Sequence, residues 1–215
     1  MSPEAYEVAR VDELERVSGE LVTVPVRIPL GISAFGVNAY EATEAGGTVV
    51  EEHDELGSGA GGHEELYVVL RGRATFTVAG DEIDARAGTF VFVRDPAARR
   101  AAVAVDAGTT VLVVGGVPGQ AFEPSPWESW LEAGPSYRAQ DYDGAARVLA
   151  AALERHPDNP NVLYNLACCE ALAGRRQEAL AHLARAIEGD PRCRAWAKDD
   201  DDLDAIRDDP AFPAA

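Results

Sequence analysis

Along the first half of the chain, apolar and polar positions alternate in short runs that turn residues interrupt. Residues 20–117 are rich in Val, Thr and Gly. The runs at 20–28, 36–42, 48–52, 66–70, 73–78, 81–85, 89–93, 101–105 and 110–114 are predicted as strands. Val78-Ala79-Gly80-Asp81 separates two alternating runs and predicts a tight hairpin. Many short, evenly spaced strands predict a sandwich or a small closed barrel, which removes the exposed edges of an open sheet. Residues 3–17 stay open between coil and about two helical turns over 11–17 with Asp12 as cap.

The pattern changes near residue 122. Residues 127–209 are rich in Ala, Leu and Arg at helical spacing, and the join at 122–126 carries two prolines. The expected organisation is a β domain over 1–121, a linker over 122–126 and an all-α domain over 127–215. The helical half contains an internal repeat. Ala145 and Ala179, Leu149 and Leu183, Ala152 and Ala186, and Pro157 and Pro191 match at one common offset. In the second copy, Leu163, Leu166, Ala167, Gly174, Ala179, Leu183, Ala186 and Pro191 follow the order large, large, small, turn, small, large, small, stop. This resembles the tetratricopeptide repeat family over roughly 127–191, with Glu170 standing where an aromatic is usual. In the first copy, Gly134-Pro135 is expected to interrupt the front helix. The resemblance implies protein contact through a groove presenting Asn161, Tyr164, Asn165, Cys168 and Leu172. These positions hold no Lys or Arg, which argues against acidic peptide tails as partners. Leu203, Ile206 and Phe212 have near-helical spacing and read as a terminal cap.

In the β half, Gly47-Thr-Val-Val-Glu-Glu-His53 and Glu65-Leu-Tyr-Val-Val-Leu-Arg-Gly72 resemble the two ends of the first cupin motif, G-x5-H-x-H-x3/4-E-x6-G. That resemblance implies a small cupin, or jelly-roll-like, β-barrel with a metal held inside by two His, a Glu and a third His. The chain departs from the pattern at three places. The second His position reads His53-Asp-Glu55. A loop over 56–62 is inserted before His63-Glu-Glu65, and its glycine stretch 57–62 reads either as a lid or as a plain solvent loop. Arg86 and Arg99 stand where the second motif has its proline and histidine. Alternation places His63, Glu65, Tyr67 and Val69 in one inward row. His53 on the neighbouring strand would complete a metal set of His53, His63 and Glu65 for one divalent Fe, Mn, Ni or Zn ion. Arg99 weighs against a cation, and with Tyr67 is a candidate for binding a small organic or anionic ligand.

Composition narrows the classes. The 215 residues carry 37 acids against 19 bases, a net charge of -18. That excludes the clustered cations that nucleic acid or anionic membrane would need. No apolar run approaches the ~20 residues of a membrane span, and the acidic start is not a secretory signal, so a cytoplasmic protein is expected. Cys168, Cys169 and Cys193 are too few for a disulfide framework. Ser33 and Ser58 have no His-Asp companions. His156 and His182 read as surface or packing residues, and Trp127, Trp130 and Trp196 as anchors. The leading expectation is a non-catalytic ligand-binding or adaptor protein, forming a homodimer through its barrels. The alternative is a metal-dependent isomerase, dioxygenase or lyase.

Overall fold

The computed structural model describes residues 7–18 and 21–213. The expected strand start at Glu20 and residues 3–6 lie outside the described residues. The chain divides into two compact units, with the break between Glu123 and Pro124.

Among the described residues the first unit holds nine strands: β1 Val22–Pro25, β2 Gly36–Ala42, β3 Thr48–His53, β4 Glu64–Arg71, β5 Arg73–Val78, β6 Asp81–Arg86, β7 Phe90–Val93, β8 Arg100–Ala104 and β9 Thr109–Gly116. They form two antiparallel sheets, ordered β1-β2-β9-β4-β7 and β3-β8-β5-β6. Inward side chains of both sheets, among them Tyr67, Val69, Phe76, Val91 and Val111, make one apolar core. The β5–β6 hairpin turns on Ala79 and Gly80, both at positive φ (52° and 92°), the twist a two-residue hairpin needs. Gly72, between β4 and β5, has φ 73°, and a Cβ there would lie 2.4 Å from Thr109 Oγ1. No helix forms over 11–17. A turn closes there, with the Glu13 and Leu14 amides bonded to the Arg10 carbonyl, and Asp12 engages the Arg10 guanidinium.

The second unit is helical: α1 Glu128–Arg138, α2 Tyr142–Arg155, α3 Pro160–Leu172, α4 Arg176–Gly189, α5 Arg192–Asp199, a 3-10 turn Asp201–Leu203 and α6 Asp204–Arg207. Asp141 caps α2 and Asn159 caps α3, each accepting backbone N–H bonds that the first turn leaves open. Pro135 does not interrupt α1, which runs to Arg138 with Pro135 inside it. The lost N–H costs the helix one bond, and α1 keeps its shape by packing Ala133 against α2 and α3. Leu163, Leu183 and Leu203 are fully buried, each contributing about 2 kcal/mol of burial free energy. Leu203, Ile206 and Phe212 join the core of α3 and α4 and close that end of the array.

Candidate functional site

The polar groups of interest lie at one end of the facing sheets. His53 ends β3 and stands opposite Arg100 at the start of β8. Glu65 and Tyr67 lie in the inward row of β4, with His63 just before it. All but His53 are buried, and the His53 side chain is one-third exposed.

These groups converge on a single atom. Glu65 Oε2 accepts a 2.5 Å hydrogen bond from the Tyr67 hydroxyl, lies 3.3 Å from Arg100 Nε and 3.5 Å from His53 Nε2. Glu55 Oε1 is 3.8 Å from His53 Nε2. His53 Nδ1 donates to the Glu51 carbonyl at 2.7 Å, which fixes the ring and turns Nε2 toward the two carboxylates. Burial works against charge on His53, but the Glu65 carboxylate and the Glu51 carbonyl outweigh it and raise its pKa. Burial also works against the Glu65 carboxylate; His53, Tyr67 and Arg100 more than offset it and hold its pKa below the ordinary value. Tyr67 is pushed far upward by burial and by the adjacent Glu65, so it stays a neutral donor.

The expected residues separate into two groups. His53, Glu65 and Tyr67 come together. His63 is buried in the expected row but stands apart, its Nδ1 4.0 Å from Glu55 Oε2 and its ring tilted on Phe122 at 5.7 Å. His63 is not among the groups here whose ligand atoms lie within 4.8 Å of one another, which are His53, Glu55 and Glu65. Arg99 does not look into the barrel. Its side chain is 59% exposed and Nε donates to Glu52 Oε1 at 3.0 Å. The strand faces are shifted by one residue from the expectation, which moves every side chain to the other side. Arg100 is therefore the inward residue, its side chain 0% exposed.

Sequence reasoning missed Glu55 and Arg100. Glu55 stands where the motif has its second His, and that offset was the available signal. Its Oε2 accepts from the Gly61 and His63 amides at 3.1 and 3.2 Å, so the glycine loop is folded back onto this carboxylate. Arg100 Nη1 donates to the Pro96 and Ala98 carbonyls, while its buried Nε and Nη2 make no hydrogen bond among the described residues.

The donor set can be tested for a metal ion. His53, Glu55 and Glu65 offer ligand atoms within 4.8 Å of one another. However, a guanidinium lies within ion-pair distance of Glu65, Tyr67 donates to the same oxygen, and Glu55 is committed to two amides. An ion there would meet a fixed positive charge, and the set does not fit a resident divalent metal.

In the helical unit, Cys168, Asp200 and Asp202 also approach one another. Each is already engaged: Tyr164 and Cys168 donate to Asp200, and Tyr137 donates to Asp202. Tyr164 and Cys168, expected to line a groove, are thereby buried under the chain's own C-terminal segment. Burial pushes the Cys169 thiol up to about 12 and Cys193 to about 11, so these are inert packing thiols. His182 Nδ1 lies 2.7 Å from Glu170, a pair where the repeat ordinarily has an aromatic. Trp130 packs on Tyr137 and Trp196 on Tyr164.

The tetratricopeptide repeat model matches residues 136–198. No curated protein matches the chain. Among solved structures, a cupin protein from Bacteroides fragilis is 21% identical, covering 57% of this chain and 93% of that one, with a TM-score of 0.43. A predicted oxalate decarboxylase from Thermotoga maritima is 20% identical, covering 51% and 97%, with a TM-score of 0.41. An RmlC-like cupin from Shewanella frigidimarina is 16% identical, covering 54% and 95%, with a TM-score of 0.40. No helix among the described residues is long and apolar enough to cross a membrane. The chain joins a unit of two antiparallel sheets to a helical unit that carries the match to the tetratricopeptide repeat.

Proposed function

We propose that this chain is a non-catalytic binding and adaptor protein, in which the barrel takes a small polar ligand at the His53 end and the helical unit contacts protein. One observation carries the reading: both inward carboxylates are already engaged. Glu65 is engaged by Tyr67, Arg100 and His53, and Glu55 by its loop amides. Neither carboxylate is left as an unengaged base, and among the groups around Glu65 only His53 reaches solvent to meet a ligand. Native mass spectrometry of untagged protein, before and after denaturation, tests this. A small molecule lost in His53→Ala supports it. Stoichiometric Fe, Mn, Ni or Zn that disappears in His53→Ala and Glu65→Ala overturns it. That result would favour the second reading, a metal-dependent isomerase, dioxygenase or lyase, for which the approach of His53, Glu55 and Glu65 speaks.

The same reading includes a homodimer formed through the β unit. The outward row of β4 and β7 is apolar: Leu66 pairs with Phe92 and Val68 with Phe90, and Leu70 continues the row. Phe90 is 68% exposed on an edge strand, with Phe92 and Leu70 also exposed. A contiguous apolar patch on a chain of net charge -18 is the part of the surface best suited to a second copy.

A further inference from the structure

We infer that Arg100 is a built-in cation that takes the place of a metal ion in this barrel, and that its charge is the chief barrier to metal there, with the hydrogen bonds of Tyr67 and Glu55 secondary. The inference rests on the metal-free reading of the same site and names its cause. The starting point is an imbalance. Two carboxylates, Glu55 and Glu65, are turned into the protein within reach of one imidazole. Buried carboxylates need a positive partner, because desolvation of an isolated charge costs several kcal/mol. The partner is Arg100. Its side chain has no solvent exposure, and Nε lies 3.3 Å from Glu65 Oε2. It is fixed from the other side by two carbonyls, Pro96 and Ala98, both bonded to Nη1.

The remaining guanidinium nitrogens show that the position is imperfectly matched. Nε and Nη2 are buried and make no hydrogen bond among the described residues. A guanidinium in a site shaped for it normally has its donors paired. Here the carboxylates and His53 have the donor chemistry of a metal set, and the arginine supplies charge without completing the bonds. His53 adds to the picture: its Nδ1 donates to a backbone carbonyl and its Nε2 faces the carboxylates, the orientation that metal-ligating histidines also need. His53 and Arg100 are directly opposite on paired strands, so a shorter side chain at 100 would open space beside that imidazole. The rest of the donor set would stay in place.

The test is gain of metal binding. Co(II) is titrated into untagged full-length protein, with visible absorbance as readout and isothermal calorimetry in parallel, for the natural chain, Arg100→His and Arg100→Gln. The natural chain should show no stoichiometric site. Removing a unit charge beside a divalent ion should tighten binding by roughly 100-fold or more. Arg100→His should gain a one-to-one site, with d–d bands that His53→Ala removes in the double variant. Arg100→Gln, which removes charge without adding a ligand, should show a weaker gain. If the natural chain binds Co(II) one-to-one at His53, the inference and the metal-free reading both fail. If the natural chain stays metal-free and the folded Arg100 variants gain nothing, the inference alone fails. Circular dichroism establishes which variants are folded, and the titration of the natural chain is decisive against the inference whatever the variants do.

Discussion

Glu65 and Arg100 give the most exacting test of the site, through a double-mutant cycle. At 3.3 Å, two unit charges in a medium of effective dielectric about 20 attract by about 5 kcal/mol. Desolvation of two buried groups takes back much of that, so the pair is worth far less than its attraction. Breaking it is another matter, because the surviving charge stays buried. Glu65→Gln leaves the fully buried guanidinium with only its two carbonyl bonds, and should cost about 3–4 kcal/mol. Arg100→Met frees those carbonyls but leaves Glu65 to Tyr67 and His53, and should cost about 2–3 kcal/mol. The double variant removes both charges together and should cost about 3 kcal/mol, less than the two single costs combined. The coupling would then be about 2–4 kcal/mol. Urea denaturation followed by far-ultraviolet circular dichroism gives the totals, and amide exchange of β4 and β9 isolates the barrel. Tryptophan fluorescence would follow the wrong half, since Trp127, Trp130 and Trp196 all lie in the helical unit. Coupling below about 0.5 kcal/mol would refute the argument that these charges depend on each other.

Three further outcomes follow from the same structure. Phe90→Asp combined with Phe92→Asp should convert a dimer of twice 22.8 kDa to a monomer in light scattering, with unchanged circular dichroism; a natural chain that is already monomeric at micromolar concentration contradicts the pairing. His53 has a folded-state pKa raised above 6.5, so its stabilising contribution is full below about pH 6.5 and is lost as pH climbs through the raised value. A series of melting temperatures from pH 6 to 9 should show that loss in the natural chain, and His53→Gln should flatten it; an equal slope in both would remove the link to His53. Gly72→Ala forces a Cβ against Thr109 at a left-handed backbone position and should cost at least about 2 kcal/mol, measured by urea denaturation.

The fold was readable because two periods differ sharply. Alternation in 73–78 and 81–85 marked β5 and β6 almost residue for residue, and the helical spacing of Leu149, Leu163 and Leu183 marked the repeat. The site was half readable. His53, Glu65 and Tyr67 came from motif and alternation, but the second arginine was lost to an ambiguous strand. In Arg99-Arg100-Ala-Ala-Val-Ala-Val105 both faces are apolar. The bulkier residues, Val103 and Val105, share parity with Arg99. The structure turns them outward and buries Ala102 and Ala104 instead, so Arg100 goes in with the alanines. β7 shows the same inversion: Phe90 and Phe92 face out, and the smaller Val91 and Val93 face in. The space between two sheets is filled by volume, and Tyr67 and Phe76 already occupy it, so smaller partners fit opposite them.

The helical unit contains a second place where a polar pair stands in for the usual group, and it yields the sharpest contrast between stability and identity. Glu170 is buried on α3, and its carboxylate meets His182 Nδ1 of α4 at 2.7 Å where the repeat ordinarily packs an aromatic. Desolvation makes such a pair a poor source of stability, but each half depends on the other. His182→Leu alone should therefore cost about 2–3 kcal/mol, because it strands a buried carboxylate. Glu170→Phe together with His182→Leu removes both polar groups and restores apolar packing between α3 and α4. It should be neutral or stabilise by about 1–2 kcal/mol in urea denaturation followed by tryptophan fluorescence, here the appropriate probe. A double variant that loses more than about 2 kcal/mol would show that volume, not polarity, decides this contact. The pair would then be shaped into the α3–α4 interface as firmly as the leucines around it.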